Sequence, residues 1–311
     1  MGIPRWFQIP LLVFGVYCCS TAVIMIQASR MDPALLAAQR LILAALVLSP
    51  LFLRKRKQFT DVFHWRDLRA AVMPAVLLAV HFVSWNIGAR MTLAANSSLI
   101  VNLVPAVMPI LLFLGVRERL TASELLATLL AITGLVILAW GDLSVSMDHF
   151  WGDVVCFGSM FTFAGYLMLA RRNQHIPSLW LYVVPVYAIA GVLCFAASLV
   201  MTNPLTQPYN AKEVLMILGL VFIPTICGHS ILNHAMKYMR GQVVSIVNMG
   251  QFVFAGIMAY LLFDEVPRGV FYIASAMIVA SGVLAVRVSV KPQSAPAAEP
   301  AEAEPTATAA A

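Results

Sequence analysis

Two histidines have neighbours that suit the recognition of a small organic solute. His81 stands four residues before Trp85, and His229 four residues before Asn233, so on a helix each pair shares one face. Imidazole titrates near neutrality and can give or accept a hydrogen bond, indole offers a flat stacking surface, and an amide does both polar jobs without charge. Asn86, Asn102, Tyr166, Asn248 and Gln251 extend this substrate-binding set, with Ser20, Thr21 and Thr162 as weaker members. The alternative for each is an interhelical hydrogen bond that only holds a bundle together. Pro105 and Pro109 bend a helix and free backbone carbonyls, which serves either a cavity or a packing kink. Among charged residues, Arg40 reads as an anchor reaching the interface near Asp32, and Glu118 and Glu265 read as gate or loop contacts. Neither a catalytic residue, a metal site nor a cofactor is expected. The chain has no GxxxxGK[ST], HExxH, CxxC or GxSxG pattern, so ATP-driven pumping and the common hydrolase sites lack their parts. The five cysteines, Cys18, Cys19, Cys156, Cys194 and Cys227, all sit inside apolar runs and read as small buried apolar groups.

The elements that must position these groups are set by composition. Of 311 residues 61% are hydrophobic and 11% charged, and the mean hydropathy is +0.87; soluble domains carry about 25% charged residues. Whole segments lack the polar face that a soluble helix keeps. A bilayer core needs around 20 helical residues, and ten apolar stretches supply them, near 9–28, 34–53, 69–90, 95–116, 122–140, 150–170, 179–201, 214–237, 242–263 and 269–288. The fold expected is all-α and polytopic. Residues 291–311 are Ala, Pro, Glu and Thr with few other types, and read as a disordered tail.

The net charge of +6 does not indicate nucleic acid, because the basic residues cluster between apolar runs. With the first residue inside, Arg5, residues 54–57, Arg66, Arg69, Arg117, Arg119, Arg171, Arg172, Lys237, Arg240, Arg287 and Lys291 fall on one side of ten spans. Only Arg30, Arg90, Lys212 and Arg268 fall on the other. Positive charge stays on the cytoplasmic side, so both termini are expected there, in a cell (inner) membrane.

The chain also repeats itself. An offset of 147 carries Asn86 to Asn233, Arg90 to Lys237, Ser98 to Ser245 and Glu118 to Glu265. Residues 1–145 and 146–290 thus read as two repeats of five spans, and an odd number of spans turns the second upside down. Ten transmembrane helices as two inverted five-helix repeats give two near-equivalent packings with opposite open sides, the arrangement of alternating access.

Residues 81–120 and 227–266, with the small-polar start of span four, Pro105, Glu118, the Gly228, His229 and Asn233 run and Glu265, resemble the two repeats of EamA-type permeases of the drug/metabolite transporter superfamily. The likeness extends over about residues 9–288. It implies a central cavity among spans one, three, four, six, eight and nine and a secondary carrier without ATP hydrolysis. Gln251-Phe252 stands where relatives often carry an acidic residue and a proline, and His234 where an aromatic residue follows the asparagine. The reading is a carrier that exports a small metabolite such as an amino acid or related amphipathic compound, with solute and lipid bilayer as partners and no nucleic acid. A channel- or scramblase-like facilitator, a lipid-directed membrane enzyme and a non-transporting membrane subunit remain the alternatives.

Overall fold

Uninterrupted apolar runs of good helix formers, punctuated by proline, glycine and charge clusters, leave the backbone one economical way to satisfy its hydrogen bonds in lipid. The computed structural model describes residues 5–92, 94–142, 147–263 and 266–289, and within these every regular element is helical. Glu265 and the tail at 291–311 lie outside the described residues.

The first three helices are α1 (Arg5–Ala28), α2 (Pro33–Gln58) and α3 (Val72–Met91). Asp32 starts α2: its carboxylate accepts from the amides of Ala34 and Leu35, both at 2.9 Å, and Pro33 occupies the first turn, where no N–H is missed. Lys55, Arg56 and Lys57 close the last turn beside the free carbonyls. The remaining elements are α4 (Ala94–Val101), α5 (Val104–Val116), α6 (Ala122–Asp142), α7 (Met147–Arg172), α8 (Leu179–Met201), α9 (Ala211–Leu220), α10 (Ser230–Tyr238), α11 (Gly241–Asn248), α12 (Gln251–Phe263) and α13 (Gly269–Ser289). A π-helical segment, Val221–His229, joins α9 to α10. Pro224 withholds a backbone donor inside it, and the hydroxyl of Thr225 donates 2.7 Å to the carbonyl of Leu220, satisfying an acceptor that the irregular turn exposes.

Among the described residues, nine segments are long and apolar enough to cross a membrane, from Phe7–Ala28 to Gly269–Arg287. The apolar part of α6, Ala122–Ile137, is shorter. Outward-facing aliphatic side chains such as Val200 and Leu261, 90% and 69% exposed, would be a liability in water and are at home against acyl chains.

The sequence predicted single helices over 95–116 and 242–263. Each is instead two. The first breaks at residues 102–103, because Pro105 lacks the N–H that would bond to Val101 and its ring crowds that carbonyl. The second breaks at residues 249–250, at a glycine. The 147 offset maps one break onto the other.

Packing follows a regular scheme. α2 lies on α8, α3 on α7, α6 on α13, and α1 on the π-helical segment. α4 meets α12 while α5 meets α11, so the two broken spans cross antiparallel. Two of these contacts depend on glycine. A Cβ on Gly88 of α3 would stand 3.0 Å from the carbonyl oxygen of Gly152 in α7, and one on Gly228 would stand 3.0 Å from the amide nitrogen of Cys19 in α1. Small residues let membrane helices approach this closely, where dispersion and polar contacts must replace the hydrophobic drive.

Candidate functional site

α3 and α7, brought together at Gly88, present a row of flat side chains to the interior. His81 stacks on Phe163 with ring centroids 4.6 Å apart and planes within 16°, and on Trp85 at 5.9 Å within 7°. Phe163 continues to Tyr166 at 6.2 Å and 20°. Four near-parallel rings therefore line one side, an offset-stacked surface for an apolar or aromatic moiety. Hydrogen bonds behind the row fix its members. His81 Nδ1 lies 2.8 Å from the hydroxyl of Ser159, which itself donates 3.0 Å to the carbonyl of His81. Trp85 Nε1 donates to Ser97 Oγ at 2.9 Å. Asn233 donates to the hydroxyl of Tyr166 and, at 2.7 Å, to the carbonyl of His229.

Opposite, the two broken spans bring three amides together. Asn102 Oδ1 accepts from Asn248 Nδ2 at 3.0 Å and from Gln251 Nε2 at 3.2 Å, and Gln251 also donates to Asn248 Oδ1 at 2.7 Å. Between rings and amides lies a cleft of about 300 Å³, counted to its open mouth, walled by Cys19, Ala22, His81, Trp85, Val101, Asn102, Phe163, His229 and Gln251. Only about 20 Å³ of it admits the centre of a water molecule, so an amino-acid-sized solute requires its walls to part. His229 meets Phe82 edge-on at 5.0 Å and its Nδ1 is buried without a hydrogen-bond partner.

Of the residues singled out in the sequence, His81, Trp85, Asn102, His229 and Gln251 share this cleft, with Asn248, Tyr166 and Asn233 in direct contact with its walls. Asn86 is elsewhere: its amide donates 2.9 Å to the carbonyl of Pro33, tying α3 to the start of α2. Ser20, Thr21 and Thr162 turn back to carbonyls of their own helices. Cys19, Ser97, Ser159 and Phe163 were not foreseen. Ser159, Phe163 and Tyr166 fall at i, i+4 and i+7, so the face that carries Tyr166 announced the other two.

The anchoring role expected for Arg40 is overturned. Its carboxylate neighbour in sequence, Asp32, is occupied by the amides at the start of α2, and the guanidinium turns inward instead. Arg40 is 0% exposed; Nε donates 2.9 Å to Thr225 Oγ1, and the guanidinium lies 4.2 Å from the centre of the Phe82 ring. Nη1 and Nη2 have no hydrogen-bond partner among the described residues. Among the described residues no carboxylate lies within 4 Å of it. A cation so placed inside a membrane span is costly unless it finds a partner.

Glu118 sits in an ionic cluster away from the cleft. Arg171 Nε donates to it at 2.9 Å and the amide of Gly241 at 3.1 Å. Arg240 reaches Glu124, a fully buried acid, at 2.5 and 2.8 Å. That hydrogen bond holds the Arg240 guanidinium above its ordinary range against the opposing effect of burial.

A family model described as the EamA-like transporter family matches residues 6–140 and again 150–287. The chain belongs to the EamA-like transporter family. As such it is a multi-pass membrane protein of a transporter family, which the model matches twice along its length. A solved structure described only as the crystal structure of a protein is similar in fold, with a TM-score of 0.73 and 15% identity over 93% of this chain and 100% of that one. No curated protein matches the sequence. EamA membership accounts for the helical, apolar build.

Proposed function

We propose that this EamA protein is a secondary carrier for a small amphipathic metabolite, an amino acid or a close relative, worked by alternating access and running in the direction of export. In this reading α6 completes a set of ten spans, and residues 1–145 and 146–290 are two inverted halves in a cytoplasmic (inner) membrane with both termini inside. The observation that carries the reading is the meeting of Asn102 with Asn248 and Gln251. Two discontinuous spans, broken at positions that the repeat makes equivalent, cross antiparallel at the wall of a cleft, which is where carriers built from inverted repeats hold their solute. The helix pairings support it too: exchanging the first five spans for the last five leaves the scheme unchanged, α1 on the π-helical segment becoming α7 on α3. His81, Trp85, Asn102, Tyr166, His229, Asn233, Asn248 and Gln251 are the solute-facing set, around a cleft whose walls part to admit the ligand.

Counterflow in proteoliposomes of the purified chain tests this. A radiolabelled amphipathic amino acid is expected to accumulate transiently when unlabelled solute is trapped inside, with saturable initial rates. Linear, unsaturable flux would mark a channel-like facilitator, and no flux of any solute in a broad panel would mark a non-transporting subunit.

A further inference from the structure

Arg40 belongs to the second span, outside the six expected to surround the cavity, yet it is a fully buried charge with no carboxylate beside it among the described residues. Among the described residues its one direct hydrogen bond is to Thr225 through Nε, and the parallel donors Nη1 and Nη2 find no hydrogen-bond partner there. The cleft is one layer away: the guanidinium rests on Phe82, and Phe82 touches His229 in the cleft wall. His229 adds a third unpartnered nitrogen, Nδ1, on the same side.

We propose that Arg40 is the carboxylate-recognition residue of the transported solute, which makes a free carboxylate an obligatory part of the substrate. This rests on the carrier reading. Two parallel guanidinium N–H groups match the two oxygens of a carboxylate, and such charge-assisted pairs are about twice as strong as neutral ones. The solute arrives with its apolar part along the row from Trp85 to Phe163, and its carboxylate enters past Cys19 and His229 as the wall parts. The anion then supplies the counter-charge that no described side chain provides. A buried cation neutralised only by cargo also couples occupancy to the stability of the closed packing, since an empty interior retains the unpaired charge.

Thermal unfolding of the purified full-length chain with matched probes tests this, using phenylalanine against phenylalaninamide and phenylacetate against phenylacetamide. The acids should bind roughly 10- to 100-fold tighter than their amides, as expected for a hydrogen-bonded charge, and raise the melting temperature accordingly. Arg40→Met should melt no lower than the unliganded parent, because a lone buried charge is exchanged for an apolar chain, and should lose the acid preference; Arg40→Lys should keep part of it. Equal binding of acids and amides by the parent, or an undiminished acid preference in Arg40→Met, would overturn the assignment while leaving the carrier reading intact if counterflow persists. A stabilisation by sodium chloride or sulfate equal to that by the acids would assign Arg40 to inorganic anions instead. Should Arg40→Met fail to fold, the parent's comparison of acid with amide still decides.

Discussion

His81 is held rather than merely placed. Its Nδ1 meets the hydroxyl and, at 3.2 Å, the carbonyl of Ser159, which orients the ring parallel to Phe163 and Trp85. Removing that hydroxyl should cost about one net hydrogen bond, roughly 1 kcal/mol. Ser159→Ala is thus expected to weaken solute affinity by about fivefold with little change in unfolding temperature, whereas Ser159→Thr should behave like the parent; titration of both variants by ligand-induced stabilisation checks it. An unchanged affinity in Ser159→Ala would remove the hydroxyl from the binding geometry. Single residues were legible in the sequence where polarity is rare: a histidine or amide inside an apolar run is conspicuous, and His81, Asn102, His229 and Gln251 do converge on one cleft. Phe163 and Cys19 were hidden because apolar side chains in an apolar span carry no contrast. Arg40 was misplaced for a different reason. Its place near the start of α2 suggested a reach to the interface near Asp32, but the guanidinium turns inward onto Thr225 and Phe82.

At the scale of elements, an ionic cluster ties the ends of α5, α6 and α7 to the turn between α10 and α11. Glu124 lies at its centre, 1% exposed and bonded to both Arg240 and Thr121. Breaking one partner of a buried ion pair leaves a charge uncompensated and costs about 3–5 kcal/mol, while removing both costs less. Glu124→Gln is therefore expected to lower the unfolding temperature, and Glu124→Gln with Arg240→Gln to recover part of the loss. A double-mutant cycle in thermal unfolding measures this coupling; strict additivity would show that the pair contributes nothing. Element boundaries were largely readable, since apolar length fixes a span. The helix breaks were not. Pro105 signalled a bend, but a proline in a membrane helix produces anything from a gentle curve to a full interruption, and the outcome depends on whether partners exist for the freed backbone groups. Here the break sits beside the amides of Asn102, Asn248 and Gln251, a long-range meeting that no local pattern encodes.

For the whole molecule, the 147-residue offset first noticed between isolated residues describes the three-dimensional arrangement as well. It relates Arg90, whose guanidinium donates to the carbonyls of Ile26 and Met31 near the turn after α1, to Lys237, whose ammonium donates to the carbonyl of Ile176 near the turn after α7. In the proposed carrier reading, halves that make equivalent contacts give two packings of similar energy, and a solute that binds both allows passage between them. Alternating exposure of the cleft is the central claim. Its most direct measurement uses a variant with the five cysteines replaced and one introduced as Gln251→Cys, treated with a membrane-impermeant maleimide from either face of sealed vesicles. The account predicts labelling from both faces, slowed in each case by saturating transported solute. Labelling confined to one face whatever solute is present would contradict it.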